Sequence, residues 1–424
     1  MLTLNLIREK TDEVLSKLLV KNFDGTEIIA KILDTDKQRR SLQLEVDSKQ
    51  AEMNNISKEI GDLFKAGKKA EADAAKQKTT TLKEEIKSLG QNLDQTEKEL
   101  QNLLIQVPNL PHSSVPEGKS AADNVIIREG GNIPTLGSNA LSHWDLAKKY
   151  DIIDFDLGTK LTGAGFPVYK NKGSKFQRSL IGFFLDENEK AGYTEYWPPL
   201  MVNADSAFGT GQLPDKEGQM YHVGIDNFYL IPTAEVPVTN IYRDVILDSK
   251  NLPVKCTAYT PCFRREAGSY GKDVRGLNRV HQFDKVEIVQ IQHPDKSYET
   301  LEEMVSHVEG LVSKLGLPYR IVKLCGGDMS FTSALTYDFE VFSAAQNKWL
   351  EVSSVSNFES YQANRLKLRY RDEVTKKTQL AHTLNGSSLA LPRIVAALLE
   401  NNQTDKGIII PEILRKYTGF IVID

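Results

Sequence analysis

The feature that most constrains the fold of this chain is a pair of apolar heptad patterns near its N-terminus. The first covers residues 42–63 with a 4-3 spacing interrupted at Lys49, and the second covers 82–107 with one weak position at Thr96. Two such helices, joined by a short polar interval around Gly67, bury their apolar stripes on each other only if they fold back antiparallel. The sequence therefore predicts a coiled-coil arm, about 45 Å long if each helix has about 30 residues.

A second region, of mixed helix and strand, is predicted downstream. The segment that begins at Val107 holds three prolines before residue 125 and no apolar period, which is typical of an inter-domain linker. Further on, short apolar runs such as 286–291 and 349–352 alternate with a helical stretch near 176–190. We predict an α+β fold in which an antiparallel sheet is flanked by helices. Because no G-x-G-x-x-G or P-loop pattern is present, a nucleotide would be held by that sheet.

Composition narrows the class of protein. The chain has 424 residues and a formal net charge of -4, so contact with nucleic acid would need a locally basic surface. Its three cysteines, Cys256, Cys262 and Cys325, have neither disulfide nor zinc-ligand spacing. No signal peptide and no apolar run long enough to span a membrane is evident. We expect a cytoplasmic protein without structural zinc and without a membrane partner.

The segment from Thr260 to Glu287 has the composition of a nucleotide-binding hairpin. The sequence predicts Arg264 and Glu266 on one strand, then a glycine-rich charged loop, then Phe283 on a second strand that ends at Glu287. A guanidinium group suits a phosphate bidentately, and an aromatic ring can carry an adenine by stacking. His281 alternates away from the face of Phe283, so we interpret it as structural.

This segment closely resembles motif 2 of class II aminoacyl-tRNA synthetases, and within them the seryl-tRNA synthetases. Further segments match in the same order. Pro199 corresponds to motif 1 at the family's dimer interface, 233–235 to its serine pocket, 351–354 to a phosphate-facing strand, and 385–393 to motif 3. The helical arm and the proline-rich linker are also similar, so the resemblance covers nearly the whole chain.

The resemblance implies a set of ATP-binding residues and two catalytic arginines. Arg264 would clamp the α-phosphate and the serine carboxylate, and Arg393 the γ-phosphate of a bent ATP. Glu266 would contact the adenine amino group, Phe283 would stack on the adenine ring, and Val280 would offer only backbone contact. The full ATP-binding set is Arg264, Arg265, Glu266, Val280, Phe283, Glu351, Val352, Ser353, Ser354 and Arg393. Arg265 stands where many relatives carry a small residue, and strand alternation points its side chain away.

The resemblance also implies the serine and magnesium sites. Serine would be bound by Thr233, Ala234, Glu235, Arg264, Glu287 and Ser387. Mg²⁺, arriving with ATP, would be held by Glu351 and Ser354 through hard oxygen ligands. A small pocket with a carboxylate and hydroxyls suits an ammonium group and a short hydroxyl side chain.

The predicted organisation has three parts: a tRNA-binding domain at 1–106, a linker at 107–125 and a catalytic domain at 126–424. The implied function is ATP-dependent activation of L-serine and its transfer to tRNA(Ser), with tRNA(Sec) as a second candidate, by a homodimer. Two alternatives remain at this stage. One is a coiled-coil RNA-binding protein with an inactive synthetase-like domain, and the other is a ligase that loads an amino acid onto a carrier protein.

Overall fold

The computed structural model describes residues 1–266 and 275–424. Two compact units are present: residues 1–19 with 23–108, and residues 20–22 with 109–424. No helix in these described ranges is long and apolar enough to cross a membrane.

The first unit is built from four helices: α1 (Leu4–Glu9), α2 (Thr11–Val20), α3 (Thr26–Lys65) and α4 (Lys69–Leu104). The predicted arm is confirmed, because α3 and α4 pack against each other along their lengths. They have 40 and 36 residues, so the arm is longer than the sequence estimate. Gly67, with φ +74°, lies in the left-handed region in the turn between them.

The heptad positions lie at the interface of the arm as predicted. Leu82 and Leu93 are buried on α4, and Ile56 is buried on α3. Lys49, the interruption in the first pattern, forms a 2.7 Å ion pair with Glu85 of the opposite helix. The polar position is thus accommodated by a cross-helix charge pair that fixes the register of the hairpin.

The second unit contains nine further helices within the described residues. They are α5 (His143–Lys149), α6 (Phe155–Leu161), α7 (Asn171–Lys190), α8 (Ala204–Thr210), α9 (Glu235–Asn240), α10 (Ser297–Lys314), α11 (Tyr361–Leu366), α12 (Leu391–Asn401) and α13 (Arg415–Thr418).

Nineteen strands are assigned among the described residues. They are β1 (Val125–Gly130), β2 (Ile153–Asp154), β3 (Val168–Tyr169), β4 (Thr194–Glu195), β5 (Met201–Val202), β6 (His222–Val223), β7 (Phe228–Leu230), β8 (Ile246–Asp248), β9 (Val254–Phe263), β10 (Gln282–Gln292), β11 (Tyr319–Lys323), β12 (Leu335–Ser343), β13 (Lys348–Asn357), β14 (Arg369–Arg371), β15 (Thr378–Leu380), β16 (His382–Ala390), β17 (Gln403–Thr404), β18 (Gly407–Ile409) and β19 (Val422–Ile423).

Eight of these strands form the central sheet, in the order β1-β11-β12-β13-β16-β10-β9-β4. Every neighbouring pair is antiparallel except β4 with β9. The predicted α+β class, with an antiparallel sheet flanked by helices, is confirmed.

One face of the central sheet is covered by α7, α10 and α12. In α7 the buried side chains Phe176, Leu180, Phe183 and Phe184 recur at helical spacing and so form a single apolar stripe. They join a continuous core with strand residues such as Phe339. Because alternate strand residues point to opposite faces, the intervening side chains of the central strands face the other way and are free to build a site.

The hairpin that the sequence predicts to bind a nucleotide has one strand longer than predicted and one shorter. Strand β9 ends at Phe263, so Arg264 and Glu266 follow the strand instead of lying on it. Strand β10 runs on to Gln292, past the predicted end at Glu287. The predicted glycine-rich loop falls largely on residues 267–274, which lie outside the described residues.

Candidate functional site

A cavity of about 600 Å³ opens over the face of the central sheet opposite α7, α10 and α12, where the shorter helices α9 and α11 also pack. It brings together residues that are up to 181 positions apart in the sequence, from Gln212 to Arg393. The predicted site residues that line it are Thr233, Glu235, Arg264, Glu266, Val280, Phe283, Glu287, Glu351, Val352, Ser353, Ser354, Ser387 and Arg393.

Arg264 is fixed at the wall of this cavity by its backbone and its side chain. Its backbone N–H donates to the carbonyl of His281 at 2.9 Å, which continues the β9–β10 pairing beyond the strand end. Its Nε donates to the carbonyl of Pro232 at 3.4 Å, and its guanidinium carbon lies 5.3 Å from the centre of the Phe283 ring. Two constraints on one side of the guanidinium leave its other donors directed at the cavity, the arrangement needed to bind an anion.

Glu266 and Arg279 pair at the same end of the hairpin, just beyond Arg264 and His281. Their side chains form a 3.1 Å ion pair, with Glu266 largely buried. Glu266 has φ +49°, the left-handed region that non-glycine residues seldom occupy. This backbone conformation turns the chain away from the strand direction directly before the segment that lies outside the described residues.

Arg393 reaches the cavity from the first turn of α12. Strand β16 ends at Ala390 and α12 begins at once, with Pro392 in its first turn. The Nε of Arg393 donates to the carbonyl of Asn278 at 2.9 Å, and Nη1 donates to the carbonyl of Glu351 at 2.7 Å. Nη1 also lies 3.6 Å from Oε2 of Glu351, so two carbonyls and one half-exposed carboxylate hold the guanidinium in place.

Strand β10 places an alternating row of side chains along the cavity. Phe283, Lys285 and Glu287 all line it, as residues two apart on one strand should. Lys285 and Glu287 are buried and form a 2.6 Å ion pair. Thr233 donates to Glu287 at 3.1 Å, so the carboxylate is held by both a cation and a hydroxyl.

Glu235 is the second buried carboxyl of this pocket. Burial and, after it, the negative charge of Glu287 raise the pKa of Glu235 to about 7. Gln362 donates to its Oε1 at 2.6 Å and itself accepts from the hydroxyl of Thr383 at 2.8 Å. The Glu235 carboxyl is therefore oriented by a buried amide, and a bound ammonium group would favour its ionised form.

Strand β13 carries an irregularity that decides which of its side chains face the cavity. Glu351 pairs with Glu340 and Ser353 with Phe339, so Val352 is an extra residue opposite β12. Strict alternation would send Glu351 and Ser354 to opposite faces, because they are three residues apart. The bulge corrects the phase, and both line the cavity.

Another acidic side chain, besides Glu351, lies beside Ser354. Asp338 is its cross-strand partner and hydrogen-bonds with it. Burial, followed by the charge of Glu351, raises the pKa of Asp338 well above the ordinary range. One oxygen of Asp338, Oδ1, is buried without a hydrogen-bond partner. The corner is rich in oxygen donors, which suits a hard cation delivered with phosphates.

Four residues singled out from the sequence lie away from the cavity wall. Ala234 is fully buried below it, among Val238 and other apolar side chains. Arg265 is exposed and only its backbone is anchored, by a 2.9 Å hydrogen bond to the carbonyl of Gln219. His281 stacks on another aromatic ring, and Pro199 lies in the connection before β5.

Several cavity-lining residues were missed from the sequence. Lys285 could have been found, because it lies between Phe283 and Glu287 on the same strand face. Asn278 and Gln219 gave no such signal, since they lie in irregular segments. The missed residues that line the cavity include Gln212, Glu217, Gln219, Asn278, Lys285, Thr332 and Ser356.

Comparison with known proteins gives matches in both units. Residues 1–111 match the seryl-tRNA synthetase N-terminal domain, and residues 221–402 match the tRNA synthetase class II core domain (G, H, P, S and T). A curated serine–tRNA ligase of Salinibacter ruber is 49% identical over 421 residues, covering 99% of this chain and 98% of the relative.

Solved structures give the same result for the fold. Seryl-tRNA synthetase from Pyrococcus horikoshii, crystallised with ATP, has a TM-score of 0.91 and 35% identity, covering 100% of this chain and 99% of its own. A cytoplasmic serine–tRNA ligase from Naegleria fowleri in complex with AMP has a TM-score of 0.86 and 27% identity, with coverage of 100% and 99%. Since sequence and fold agree from one end of the chain to the other, this protein belongs to the seryl-tRNA synthetase family of class II aminoacyl-tRNA synthetases.

Proposed function

We propose that this protein is a serine–tRNA ligase that forms AMP and diphosphate. It activates L-serine with ATP to seryl-adenylate and transfers the seryl group to the 3′-terminal adenosine of tRNA(Ser). The observation that carries this proposal is the convergence of Arg264 and Arg393 on one cavity that also contains a buried carboxylate and hydroxyl pocket.

Activation requires two anions to meet, because the serine carboxylate attacks the α-phosphorus of ATP while diphosphate leaves. Reactions of this kind depend mainly on positioning and charge neutralisation. Arg264 would bind the α-phosphate and the carboxylate together, and Arg393 would bind the γ-phosphate. Phe283, already in contact with Arg264, would support the adenine by stacking. Glu266 would accept a hydrogen bond from the adenine amino group.

The serine pocket is the small buried end of the cavity. Glu235 would bind the ammonium group of serine, and Thr233, Glu287 and Ser387 would surround its hydroxyl. Alanine would leave these buried polar groups without partners, which disfavours it strongly. Ala234 would contribute through the backbone, since its side chain is buried outside the cavity.

Magnesium would be held with the phosphates by Glu351 and Ser354. The oxygen-rich corner that they share with Asp338 fits this ion, because carboxylate and hydroxyl oxygens are its preferred protein ligands. When bound, Mg²⁺ neutralises charge on the phosphates. Val352, Ser353, Arg265 and Val280 would complete the ATP site, the last two through their backbones.

The arm would bind the tRNA. We propose residues 1–106 as the tRNA-binding domain, 107–125 as the linker and 126–424 as the catalytic domain. The turn of the arm carries exposed lysines, Lys65, Lys68 and Lys69, which suit a phosphate backbone. tRNA(Sec) is a second candidate substrate.

We also propose a cytoplasmic homodimer whose interface includes the segment around Pro199. The neighbouring apolar side chains support this location, because Trp197 is 78% exposed and Met201 is 50% exposed. Neither alternative from the sequence is favoured, since serine–tRNA ligases match both the arm and the catalytic unit over the full chain.

The test is a pair of assays on the same protein. Exchange of labelled diphosphate into ATP should depend on serine, and charging of total tRNA should attach serine and no other amino acid. Equal stimulation of exchange by another amino acid would remove the serine assignment. Serine-dependent exchange, together with transfer of serine to a carrier protein and no charging of tRNA, would favour the ligase that loads a carrier protein.

A further inference from the structure

A buried histidine lies behind the nucleotide end of the cavity. His143, at the start of α5, is fully buried, and its Nδ1 is 2.7 Å from Oε1 of Glu400 on α12. The backbone N–H of Leu277 donates to the other ring nitrogen, Nε2, at 2.8 Å. Because a backbone N–H can only donate, Nε2 must be the unprotonated nitrogen, and Nδ1 must carry the proton that it shares with Glu400.

Glu400 holds this tautomer within a closed hydrogen-bond network. Its Oε1 also accepts from the backbone N–H of His143 at 2.9 Å, and its Oε2 accepts from Ser343. Burial alone would raise the pKa of Glu400, but the hydrogen bonds from His143 and Ser343 outweigh it and lower the pKa. The carboxylate is therefore ionised and fixes the orientation of the imidazole ring.

The same network supports the next residue of the cavity wall. Gln346 donates to Oε1 of Glu400 at 2.9 Å and accepts from the side-chain amide of Asn278 at 2.8 Å. Leu277 and Asn278 are thus both held from behind, one through its backbone and one through its side chain.

Gly276 shows how closely the ring approaches this segment. It has φ +66°, and a Cβ added there would collide with Nε2 of His143. The next position is held as well, because the guanidinium of Arg275 lies 4.5 Å from the centre of the Trp144 ring.

The supported segment is part of the proposed ATP site. Leu277, Asn278 and Val280 line the cavity, and the carbonyl of Asn278 accepts from Nε of Arg393. The serine pocket, by contrast, is built on Thr233, Glu235 and β10, which are held by hydrogen bonds to Glu287 and Gln362.

We propose that His143 is a positioning residue for ATP, acting through Leu277 and Asn278 on the orientation of Arg393. The inference rests on the proposed function of this cavity. Loss of the acceptor at Nε2 leaves the N–H of Leu277 buried without a partner, and the segment that aligns Arg393 relaxes.

Two substitutions separate the two nitrogens of the ring. In His143→Gln the side-chain oxygen can reach the position of Nε2 and accept from Leu277. In His143→Asn the shorter amide can donate to Glu400 but cannot reach Leu277. We expect the KM for ATP in diphosphate exchange to rise about ten- to a hundredfold in His143→Asn, because a buried donor loses its partner. It should rise no more than a fewfold in His143→Gln, and the KM for serine should stay unchanged in both.

A second measurement does not depend on activity. In the ligand-free protein, hydrogen exchange at the Leu277 amide should be faster in His143→Asn than in the wild type and should stay protected in His143→Gln. If His143→Asn fails to fold, Gln346→Met tests the same network from Asn278, with an expected rise of a fewfold in the KM for ATP alone.

Three results would overturn the inference: an unchanged KM for ATP in His143→Asn, an equal rise in both KM values, or equal losses in the Asn and Gln variants. Failure of the proposed function would look different. The wild type would then lack serine-dependent diphosphate exchange, while the difference in hydrogen exchange at the Leu277 amide would persist.

Discussion

The arm and the catalytic unit solve different physical problems. The arm is two helices that bury one stripe each, so most of its surface is exposed and its structure depends on contacts along a single seam. The catalytic unit buries three helices against one face of an eight-stranded sheet and builds its cavity on the other face, beside α9 and α11. Its cavity needs side chains from five or more separate segments at once.

This difference predicts how sensitive each region is to amino-acid substitution. A seam tolerates changes at most positions, because only every third or fourth residue is buried. A site assembled from distant segments fails when any one of its phosphate-binding groups is lost. We therefore expect the largest effects of substitution in the cavity and smaller ones in the arm.

The largest effects are expected at the two arginines of the cavity, and they test the contrast between the two regions most directly. We expect Arg264→Ala and Arg393→Ala each to reduce kcat/KM for diphosphate exchange by about 10³-fold, because each removes a charge that stabilises the transition state. Arg371→Ala, which changes an exposed arginine on β14, is the matched control and should have little effect. If either cavity variant kept the wild-type kcat/KM for diphosphate exchange, the assigned site would be contradicted.

Shortening the arm separates the two regions functionally. Lys49 pairs with Glu85, so removing residues 46–59 and 75–88 takes two heptads from each helix and keeps the turn at Gly67. The arm becomes about 20 Å shorter. We expect kcat/KM for tRNA charging to fall about 10²-fold through lost phosphate contacts, with serine-dependent diphosphate exchange unchanged. An unaltered charging rate would remove the proposed role of the arm.

The seam itself can be tested by a pair of leucines. Leu93→Ala removes a side chain that is 9% exposed, whereas Leu44→Ala removes one that is 72% exposed. We expect the first to lower the free energy of unfolding of the arm by about 2 kcal/mol, and the second by less than about 0.5 kcal/mol. Amide hydrogen exchange along α3 and α4 measures both, and equal effects would argue against the observed interface.

The smallest expected effect concerns the pH dependence of serine binding. The pKa of Glu235 is raised to about 7, and only the ionised carboxylate attracts the ammonium group of serine. kcat/KM for serine should therefore rise with pH through about 7. One pH unit below this pKa it should be about tenfold lower than its plateau at high pH. Glu235→Gln should have a lower kcat/KM that no longer changes across this range.

The same raised pKa has a consequence for stability. Between the ordinary value of 4.5 and about 7, the folded chain holds a proton on Glu235 that the unfolded chain has released. The contribution of Glu235 to stability therefore decreases as pH rises through this window. In Glu235→Gln that decrease should be absent from urea titrations, and a persistent decrease of equal size would assign it to another group.

Most of the candidate site could be predicted because the family's motifs are local patterns. The strand-to-helix turn before Arg393 and the alternation of Phe283 with Glu287 are both visible in short stretches of sequence. The prediction that Arg264 and Glu266 lie on a strand was wrong, because β9 ends at Phe263. Local patterns do not show where strand pairing stops. Gln362 and His143 escaped notice, since each acts through a residue far away in sequence.

The sequence by itself determined the arm, the α+β class and the chemical types of the binding groups, because periodicity and short motifs express local rules. Only the tertiary structure decided which of those groups share a face. The bulge at Val352 brings Glu351 and Ser354 to the same side, and the buried pair of His143 and Glu400 holds Leu277 from behind. Such placements depend on pairing between distant strands and helices, which no local pattern encodes.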